Sequence, residues 1–341
     1  MRPGPTNSLV DVGGLRVGHA ELDTEGALSG TTVVLPDADG AVAGVDVRGG
    51  GPGTRETDAL DPRTLVDRVH AVVLSGGSAY GLAAASGVAD ALGAVGRGFR
   101  VGPGELEVVP VVPAAVVFDL GRGGRFTAHP DAALGAAALA ACTDGPVGQG
   151  VVGAGRGALV GGLKGGVGSA SAVLDDGSTV AALVVVNAAG SAVDPATGEL
   201  WGARHLLPDD AVPPAPAAGA ARRLAAAAAP VTLNTTIGVV ATDATLTVAQ
   251  CAKLAGVGHD GLARALRPAH GMTDGDTLFG LATTRRPAPD LAGVQAVLTA
   301  GADAVTRAVV HAVLAARTVA TPAGTWRAYL DVLAGDVVAG P

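Results

Sequence analysis

The stretch Asn234-Thr235-Thr236-Ile237 joins two parts of the chain that have different sequence patterns. Before it, residues 208–230 are rich in Pro and Ala, which is typical of a linker that is a loop or loosely helical. After it, residues 235–241 are rich in β-branched residues and predict a buried strand. A Thr at the start of such a strand has an ordinary interpretation, because Thr favours strands. The alternative interpretation is chemical: the chain cuts itself between Asn234 and Thr235.

Self-cleavage at this point would make Thr235 an N-terminal residue. Its hydroxyl is then a nucleophile and its own α-amine is the base. A free α-amine has a pKa of about 7.7–8.0, so it accepts a proton near neutral pH without help from a histidine. The seven histidines are scattered, and the sequence places none of them in a Ser-His-Asp relay. We single out His270 because it precedes the acidic segment Asp274-Gly275-Asp276.

The segments on both sides of this junction alternate between strand and helix patterns. The predicted strands are Thr31 to Leu35, Val42 to Val47, Val72 to Ser75, Val108 to Phe118, Val180 to Val186 and Asp276 to Ala282. The predicted helices are about 79–92, one that starts at Asp131 as its N-cap, one opened by a Thr247-x-x-Gln250 capping box and ending near Leu266, and a long helix or helix pair over 290–319. Such a pattern indicates sheets packed between helical layers.

The composition excludes several classes of protein. The 341 residues correspond to about two domains or one large one. The net charge of −8 excludes a nucleic-acid binder, which would carry a basic stripe. Polar or glycine residues interrupt each apolar run before it reaches the ~18 residues of a membrane span. The segment from Met1 to Pro5 lacks the apolar core of a signal peptide, so we expect a cytoplasmic protein.

The sequence also indicates that the protein uses no cofactor or metal ion. Gly153-Ala154-Gly155, followed by Asp175, resembles a dinucleotide-binding fingerprint, but the third glycine and the preceding strand are missing. Cys142 and Cys251 lie in Ala-rich helical patterns and are interpreted as small buried hydrophobic residues. They form no disulfide framework and no Cys/His metal pattern.

Four further positions carry candidate site residues, each with an ordinary alternative. Lys164 is one of two lysines among 23 basic residues and is flanked by glycines, so it is either a solvated loop residue or a functional amine. Asp274 and Asp276 either hold an ammonium group or form a turn. Asn187 lies at the end of an apolar strand, where it either donates a hydrogen bond to an oxyanion or caps the strand. Tyr80 opens a helix after two glycines, and its ring either faces a cleft or packs locally.

Seven stretches in order along the chain carry a family resemblance. They are Val45 to Gly50 with Pro52 to Thr57, Ser75 to Leu82, the glycine loop around Lys164, Val185 to Asn187, Asn234 to Ile237, His259 to Arg264, and Asp274 to Phe279. With these stretches the chain resembles the DmpA family of self-processing hydrolases, which includes L-aminopeptidase/D-esterases, β-aminopeptidases and nylon-oligomer hydrolases. Asn-Thr at the junction and the Asp-Gly-Asp segment are similar to the nylon-oligomer branch. The aminopeptidase branch commonly has Gly-Ser at the junction, and Ser and Glu in the acidic segment.

The resemblance implies an α/β (α+β) fold, a four-layer αββα sandwich shared with ornithine acetyltransferase. It implies one domain over residues 1–341, cleaved into chains 1–234 and 235–341 that stay together, in a homo-oligomer that is a tetramer by resemblance. It places the nucleophile at Thr235 and the acidic pair Asp274 and Asp276 near its amine. Tyr80, Lys164 and Asn187 match positions that line the pocket, orient the nucleophile or stabilise the oxyanion.

Three functions therefore compete. The first is a self-processing amide hydrolase, acting on amino-acyl amides, peptides or ω-amino-acid oligomers. The second is an acyltransferase of the ornithine acetyltransferase type, whose usual junction motif differs from Asn234-Thr235-Thr236. The third is an uncleaved binding protein of the same fold. A denaturing gel separates the first two from the third, and acyl transfer to an amine rather than to water separates the first from the second.

Overall fold

The computed structural model describes residues 1–229 and 233–335. Residue 230, which ends the predicted linker, and residues 336–341, which end the predicted domain, lie outside the described residues. The strands are β1 (Arg16–Glu21), β2 (Gly30–Leu35), β3 (Ala41–Val47), β4 (Thr54–Arg55), β5 (Arg68–Val69), β6 (Val72–Ser75), β7 (Phe99–Arg100), β8 (Val108–Val109), β9 (Ala114–Val116), β10 (Leu159–Val160), β11 (Leu163–Lys164), β12 (Gly166–Val173), β13 (Thr179–Val186), β14 (Ile237–Thr242), β15 (Thr277–Ala282), β16 (Val319–Thr321) and β17 (Gly324–Trp326). The helices are α1 (Ala83–Gly93), α2 (Ala132–Ala140), α3 (Ala220–Ala227), α4 (Val248–Ala265), α5 (Leu291–Ala315) and α6 (Tyr329–Ala334).

Two sheets form the centre of the molecule. One has the strand order β1-β2-β6-β9-β4, and the other has the order β12-β13-β14-β15-β3-β5. In each sheet one neighbouring pair is parallel, β6 with β9 and β14 with β15, and the other pairs are antiparallel. All eight residues of β13 are buried, as its continuous apolar sequence predicts for a strand covered on both faces.

Hydrophobic contacts arrange these elements in four layers. Side chains from both sheets form a core between them, which includes Val34 and Leu74 from one sheet and Leu183 and Val239 from the other. Helices α1 and α2 pack on the outer face of the first sheet, and α4 and α5 pack on the outer face of the second. This arrangement confirms the predicted αββα sandwich.

The strand order brings three segment ends to one edge of the second sheet. The parallel strands β14 and β15 start together, with Ile237 opposite Thr277. Strand β13 runs the other way and ends beside the start of β14, with Val185 opposite Ile237. Thr235 and Thr236 precede β14, Asp276 precedes β15, and Asn187 follows β13. The topology therefore gathers these four residues.

Several element boundaries differ from the sequence-based expectations. The strand predicted from Thr235 starts at Ile237, because the two residues before it are hydrogen-bonded to site residues. The strand predicted over 108–118 is split in two, since Pro110 and Pro113 cannot donate to a strand ladder. The long C-terminal pattern is the single helix α5. Helix α5 has the length and composition of a membrane span, but 83% of its most apolar window is buried inside the fold, as in a core helix.

Candidate active site

The junction Asn234-Thr235 lines a cavity of about 160 Å³ at the edge where β13, β14 and β15 meet. Gly51, Ser78, Phe118 and Met272 are also in its wall. Asn234 and Thr235 are buried, with exposed fractions of 2% and 4%. The peptide bond that the sequence marks for cleavage thus lies in a small enclosed site rather than in the exposed part of the linker.

The hydroxyl of Thr235 lies against this peptide bond. Thr235 Oγ1 donates a hydrogen bond to the carbonyl oxygen of Asn234 at 2.5 Å. The backbone nitrogen of Thr235 donates to the carbonyl oxygen of Asn187 at 2.6 Å. A Cβ atom at Gly275 would lie 2.8 Å from Thr235 Oγ1 and 2.5 Å from the carbonyl oxygen of Gly51. The glycine between the two aspartates therefore leaves room for the hydroxyl.

The two aspartates bind backbone groups of other segments. Asp276 Oδ1 accepts from the backbone nitrogen of Thr236 at 2.8 Å, and Oδ2 accepts from the backbone nitrogen and Nδ1 of His270 at 3.1 and 2.7 Å. Asp274 Oδ1 accepts from the backbone nitrogen of Ala189 at 3.1 Å. Burial raises the pKa of Asp274, and the neighbouring Asp276 charge adds to this effect. These contacts join the acidic pair to the segments after β13 and before β14.

Lys164 is fully buried, which excludes the interpretation as a solvated loop residue. Its Nζ donates to the carbonyl oxygens of Gly155, Ala158 and Gly165 at 3.2, 2.7 and 2.9 Å. Burial lowers the pKa of Lys164 well below its usual value. The ammonium group thus holds the glycine-rich backbone that leads to Leu159, rather than contacting Thr235 directly.

Asn187 and Arg122 are buried and are hydrogen-bonded to each other and to the junction. The side-chain oxygen of Asn187 accepts from the backbone nitrogen of Leu159 at 2.9 Å and from Arg122 Nη1 at 2.5 Å. Its Nδ2 donates to the carbonyl oxygen of Phe118 at 3.2 Å. Arg122 Nη2 also donates to the side-chain oxygen of Asn234 at 2.7 Å. The side chain of Asn187 is therefore fixed in one orientation.

Sequence reasoning missed Arg122. Arg122 is one of 21 arginines in the chain, so its residue type alone did not mark it as a site residue. The glycines around it, in Gly121-Arg122-Gly123-Gly124, are the same pattern that drew attention to Lys164. His270 was singled out only for its position before the acidic segment, and the structure places its ring against Asp276.

Tyr80 lies apart from the other candidate residues. Its side chain is 60% exposed, and its ring stacks on that of His129 at a centroid distance of 4.9 Å. Its neighbour Ala79 lines the cavity. The structure thus brings together Asn234, Thr235, Asn187, Asp274 and Asp276 directly, connects Lys164 through the backbone, and leaves Tyr80 beside the cavity.

The rejected cofactor motif has a structural role. Gly153–Gly155 forms a buried 3-10 turn, and a Cβ at Gly155 would collide with the backbone of Gly166 and Val167. Among residues 1–229 and 233–335, no group of three or more His, Cys, Asp and Glu side chains has a metal-binding arrangement.

Comparisons with known proteins indicate the same family as the sequence motifs. The profile of peptidase family S58 matches residues 7–327. An uncharacterised aminopeptidase of Mycobacterium tuberculosis is 50% identical over 335 residues, which cover 92% of this chain and 95% of the relative. A 6-aminohexanoate-oligomer endohydrolase of Paenarthrobacter ureafaciens is 33% identical over 304 residues, or 83% of this chain and 77% of the relative.

Solved structures show the same fold. A β-aminopeptidase from a Burkholderia species superposes with a TM-score of 0.74 and 25% identity, over 99% of this chain and 96% of the other. An L-aminopeptidase D-Ala-esterase/amidase of Ochrobactrum anthropi, described as a variant of the Ntn hydrolase fold, superposes with a TM-score of 0.72 and 23% identity, over 98% and 95%.

Proposed function

The chain belongs to peptidase family S58 and is a hydrolase of amide bonds, and from this premise we propose that it activates itself by cleavage before Thr235. The observation that carries the proposal is the 2.5 Å hydrogen bond from Thr235 Oγ1 to the carbonyl oxygen of Asn234. It brings a nucleophile to the bond that must break, inside a buried site.

Self-cleavage proceeds by transfer of the Asn234 acyl group. Thr235 Oγ1 attacks the carbonyl carbon of Asn234 and loses its proton, and the Thr235 nitrogen is protonated and leaves as an amine. The resulting ester is hydrolysed by water, which gives a carboxylate on Asn234 and restores the Thr235 hydroxyl. The carbonyl oxygen of Asn187, 2.6 Å from the Thr235 nitrogen, is placed to hold the new amine.

The hydroxyl group and the new α-amine of Thr235 then hydrolyse the substrate. The α-amine of Thr235 takes the hydroxyl proton, Oγ1 forms an ester with the substrate acyl group, and the proton passes to the leaving amine. Water then releases the acid. Asp276 fixes Thr236 next to the nucleophile, Asp274 supplies negative charge near the amine, and Asn187 and Lys164 shape the backbone on the oxyanion side.

The substrates that we propose are amino-acyl amides, peptides and ω-amino-acid oligomers. The relatives named above, an aminopeptidase and a 6-aminohexanoate-oligomer endohydrolase, support this range. The exposed ring of Tyr80 beside the cavity suits contact with the part of a substrate that extends out of it. The matched family and these relatives are hydrolases by name, which gives the acyltransferase alternative no support.

The two chains made by cleavage stay together because both contribute to one sheet. Strand β14 of residues 235–341 pairs with β13 of residues 1–234, and β15 pairs with β3. We extend the proposal to a cytoplasmic homo-oligomer, a tetramer by resemblance to the family. The two thiols Cys142 and Cys251, which form no disulfide, are compatible with a reducing compartment.

Denaturing gel electrophoresis with N-terminal sequencing tests the proposal. Mature protein is expected to contain chains of 234 and 107 residues (341 − 234), the smaller one starting at Thr235. Thr235→Ala is expected to remain one chain without activity, and Thr235→Ser, which keeps a hydroxyl, is the matched control. A smaller chain that starts at another residue would overturn the assignment.

A further inference from the structure

The guanidinium group of Arg122 lies between the side chains of Asn187 and Asn234. Arg122 Nη1 donates to the side-chain oxygen of Asn187 at 2.5 Å, and Nη2 donates to that of Asn234 at 2.7 Å. Asn234 supplies the carbonyl that Thr235 attacks, and the carbonyl oxygen of Asn187 binds the Thr235 nitrogen at 2.6 Å. One guanidinium group thus binds the residue on the acyl side of the peptide bond and the residue whose carbonyl oxygen binds the nitrogen of that bond.

Burial and hydrogen bonds hold the side chain of Arg122 in this position. Its side chain is 7% exposed, and burial lowers its pKa to about 10, so it stays charged at neutral pH. Nη1 also donates to the carbonyl oxygen of Gly157 at 2.8 Å, and Nη2 also donates to that of Leu233 at 3.4 Å. A buried charge is stable only when it is well hydrogen-bonded, and here neutral oxygens provide those bonds. The carboxylate of Asp119, 2% exposed, is the charged group that opposes the effect of burial.

The backbone of Arg122 is fixed as well. Its carbonyl oxygen accepts hydrogen bonds from Trp326 Nε1 and Thr321 Oγ1, both at 2.9 Å. These two residues belong to the hairpin of β16 and β17, which lies in the predicted 235–341 chain. The guanidinium group is therefore a preorganised fork at a fixed place in the precursor.

Asn234 has weaker support from its other contacts. Its Nδ2 donates to the carbonyl oxygen of Leu159 at 3.4 Å, and its backbone nitrogen donates to that of Thr273 at 3.2 Å. The 2.7 Å bond from Arg122 is shorter than both, and it is charge-assisted. Loss of this bond would leave the Asn234 carbonyl free to move relative to Thr235 Oγ1.

We propose that Arg122 is the positioning residue for self-cleavage, which orients the Asn234 carbonyl toward the Thr235 hydroxyl by holding the side chains of Asn234 and Asn187 together. The proposal rests on the proposed cleavage before Thr235. Lysine cannot replace this arginine, because it carries one donor nitrogen, whereas two separate nitrogens of the planar guanidinium group bind Asn187 and Asn234.

Cleavage kinetics of the full chain test the proposal. Labelled precursor is made by cell-free translation, and the appearance of the 107-residue chain is followed on a denaturing gel. A hydrogen bond to a charged group stabilises by about 1.5–3 kcal/mol, so Arg122→Lys and Asn234→Ala are each expected to slow cleavage by about tenfold or more. Arg125→Lys, an exposed change in the same loop, is the control and is expected to cleave at the wild-type rate.

The double variant separates positioning from general destabilisation. If Arg122 acts through Asn234, the variant with both changes cleaves no more slowly than the slower single variant. Multiplied effects would show that Arg122 only supports the fold and would overturn the proposal. If Arg122→Lys does not fold, as circular dichroism reports, a folded Asn234→Ala precursor that is cut at the wild-type rate overturns it equally. A wild-type chain that is never cut before Thr235 would instead refute the proposed function.

Discussion

The carbonyl oxygen of Asn187 accepts a hydrogen bond of 2.6 Å from the backbone nitrogen of Thr235. The two residues are far apart in sequence, and the antiparallel pairing of β13 with β14 brings them together. Because β14 lies parallel to β15, the same sheet edge also receives Asp276. The chemistry of the site therefore follows from strand order: one strand end and two strand starts meet at the peptide bond that is to be cut.

Lys164→Arg is expected to lose most self-cleavage and most hydrolytic activity. The ammonium group is fully buried and donates to three carbonyl oxygens, and a bulkier guanidinium cannot enter that space without moving the backbone around Ala158. The change is measured as precursor cleavage and kcat/KM on an amino-acyl amide. The matched control is Lys253→Arg at the other lysine, which is exposed on α4. Normal turnover in Lys164→Arg would show that Lys164 is not part of the active site.

The sequence predicted the layers of the fold, and most of the residues that it marked as site candidates lie near one another in the structure. Asp131 and the Thr247-x-x-Gln250 box are local capping signals, and the structure shows hydrogen bonds at both. Thr235 was noticed because it lies between a linker pattern and a strand pattern, and the family resemblance placed the acidic pair near its amine. Arg122 was not predicted, because its partners Asn187 and Asn234 are 65 and 112 residues away and its residue type is common in this chain.

For Tyr80, the sequence predicted the local backbone but not the contacts of the side chain. Local sequence correctly indicated a turn of helix after two glycines, but not the direction of the ring. The ring stacks on His129, a contact that depends on how α2 and its preceding loop pack against this turn. Its role in binding substrate stays a prediction, and Tyr80→Phe and Tyr80→Ala test it as changes in KM.

His270→Ala is expected to lower kcat/KM, and His270→Asn is expected to restore most of it. His270 Nδ1 donates to Asp276 Oδ2 at 2.7 Å, and an asparagine amide nitrogen takes nearly the same position. Residue 270 also has a positive φ of 60°, which asparagine tolerates better than most residues. The control is His205→Ala, away from the cavity. Equal activity of the Ala and Asn variants would show that this hydrogen bond does not matter.

The activity is expected to fall on acidification at a higher pH than an ordinary aspartate would cause. Burial raises the pKa of Asp274 above its usual value, so its negative charge is lost earlier as the pH falls. The α-amine of Thr235, the proposed base, gives the main acid limb of kcat/KM near its own pKa of about 7.7–8.0, and Asp274 is expected to add a second fall in activity at lower pH, above about pH 4. Asp274→Asn is expected to remove the second fall only, and a second fall that is unchanged in this variant would assign it to another group.

The raised pKa of Asp274 also predicts how the stability of the protein changes with pH. Because the folded-state pKa of Asp274 is raised above its unfolded value, its favourable contribution to stability is fully present below the unfolded pKa of about 4 and is lost as the pH rises through the folded pKa. Between pH 4 and pH 7, Asp274→Asn is thus expected to lose less stability than the wild type, because its amide takes on no charge in this range. Thermal unfolding at both pH values checks this, and an equal change in unfolding temperature in the two proteins would contradict it.

The two aspartates are expected to act as one unit, with Asp276 the more sensitive. Asp276 accepts from Thr236 on one oxygen and from two N–H groups of His270 on the other, so the NH₂ of an asparagine faces a donor in either orientation. Asp276→Asn is therefore expected to impair hydrolysis severely, and Asp274→Asn is expected to do so with some loss of self-cleavage. The double variant should be little worse than the poorer single variant, because we propose that both carboxylates act on the same N-terminal segment, Thr235 and Thr236. Asp260→Asn, an exposed position on α4, is the control. If both single variants cleave themselves and hydrolyse amino-acyl amides at wild-type rates, the acidic pair is only a turn, and catalysis then depends on Lys164, Asn187 and Tyr80.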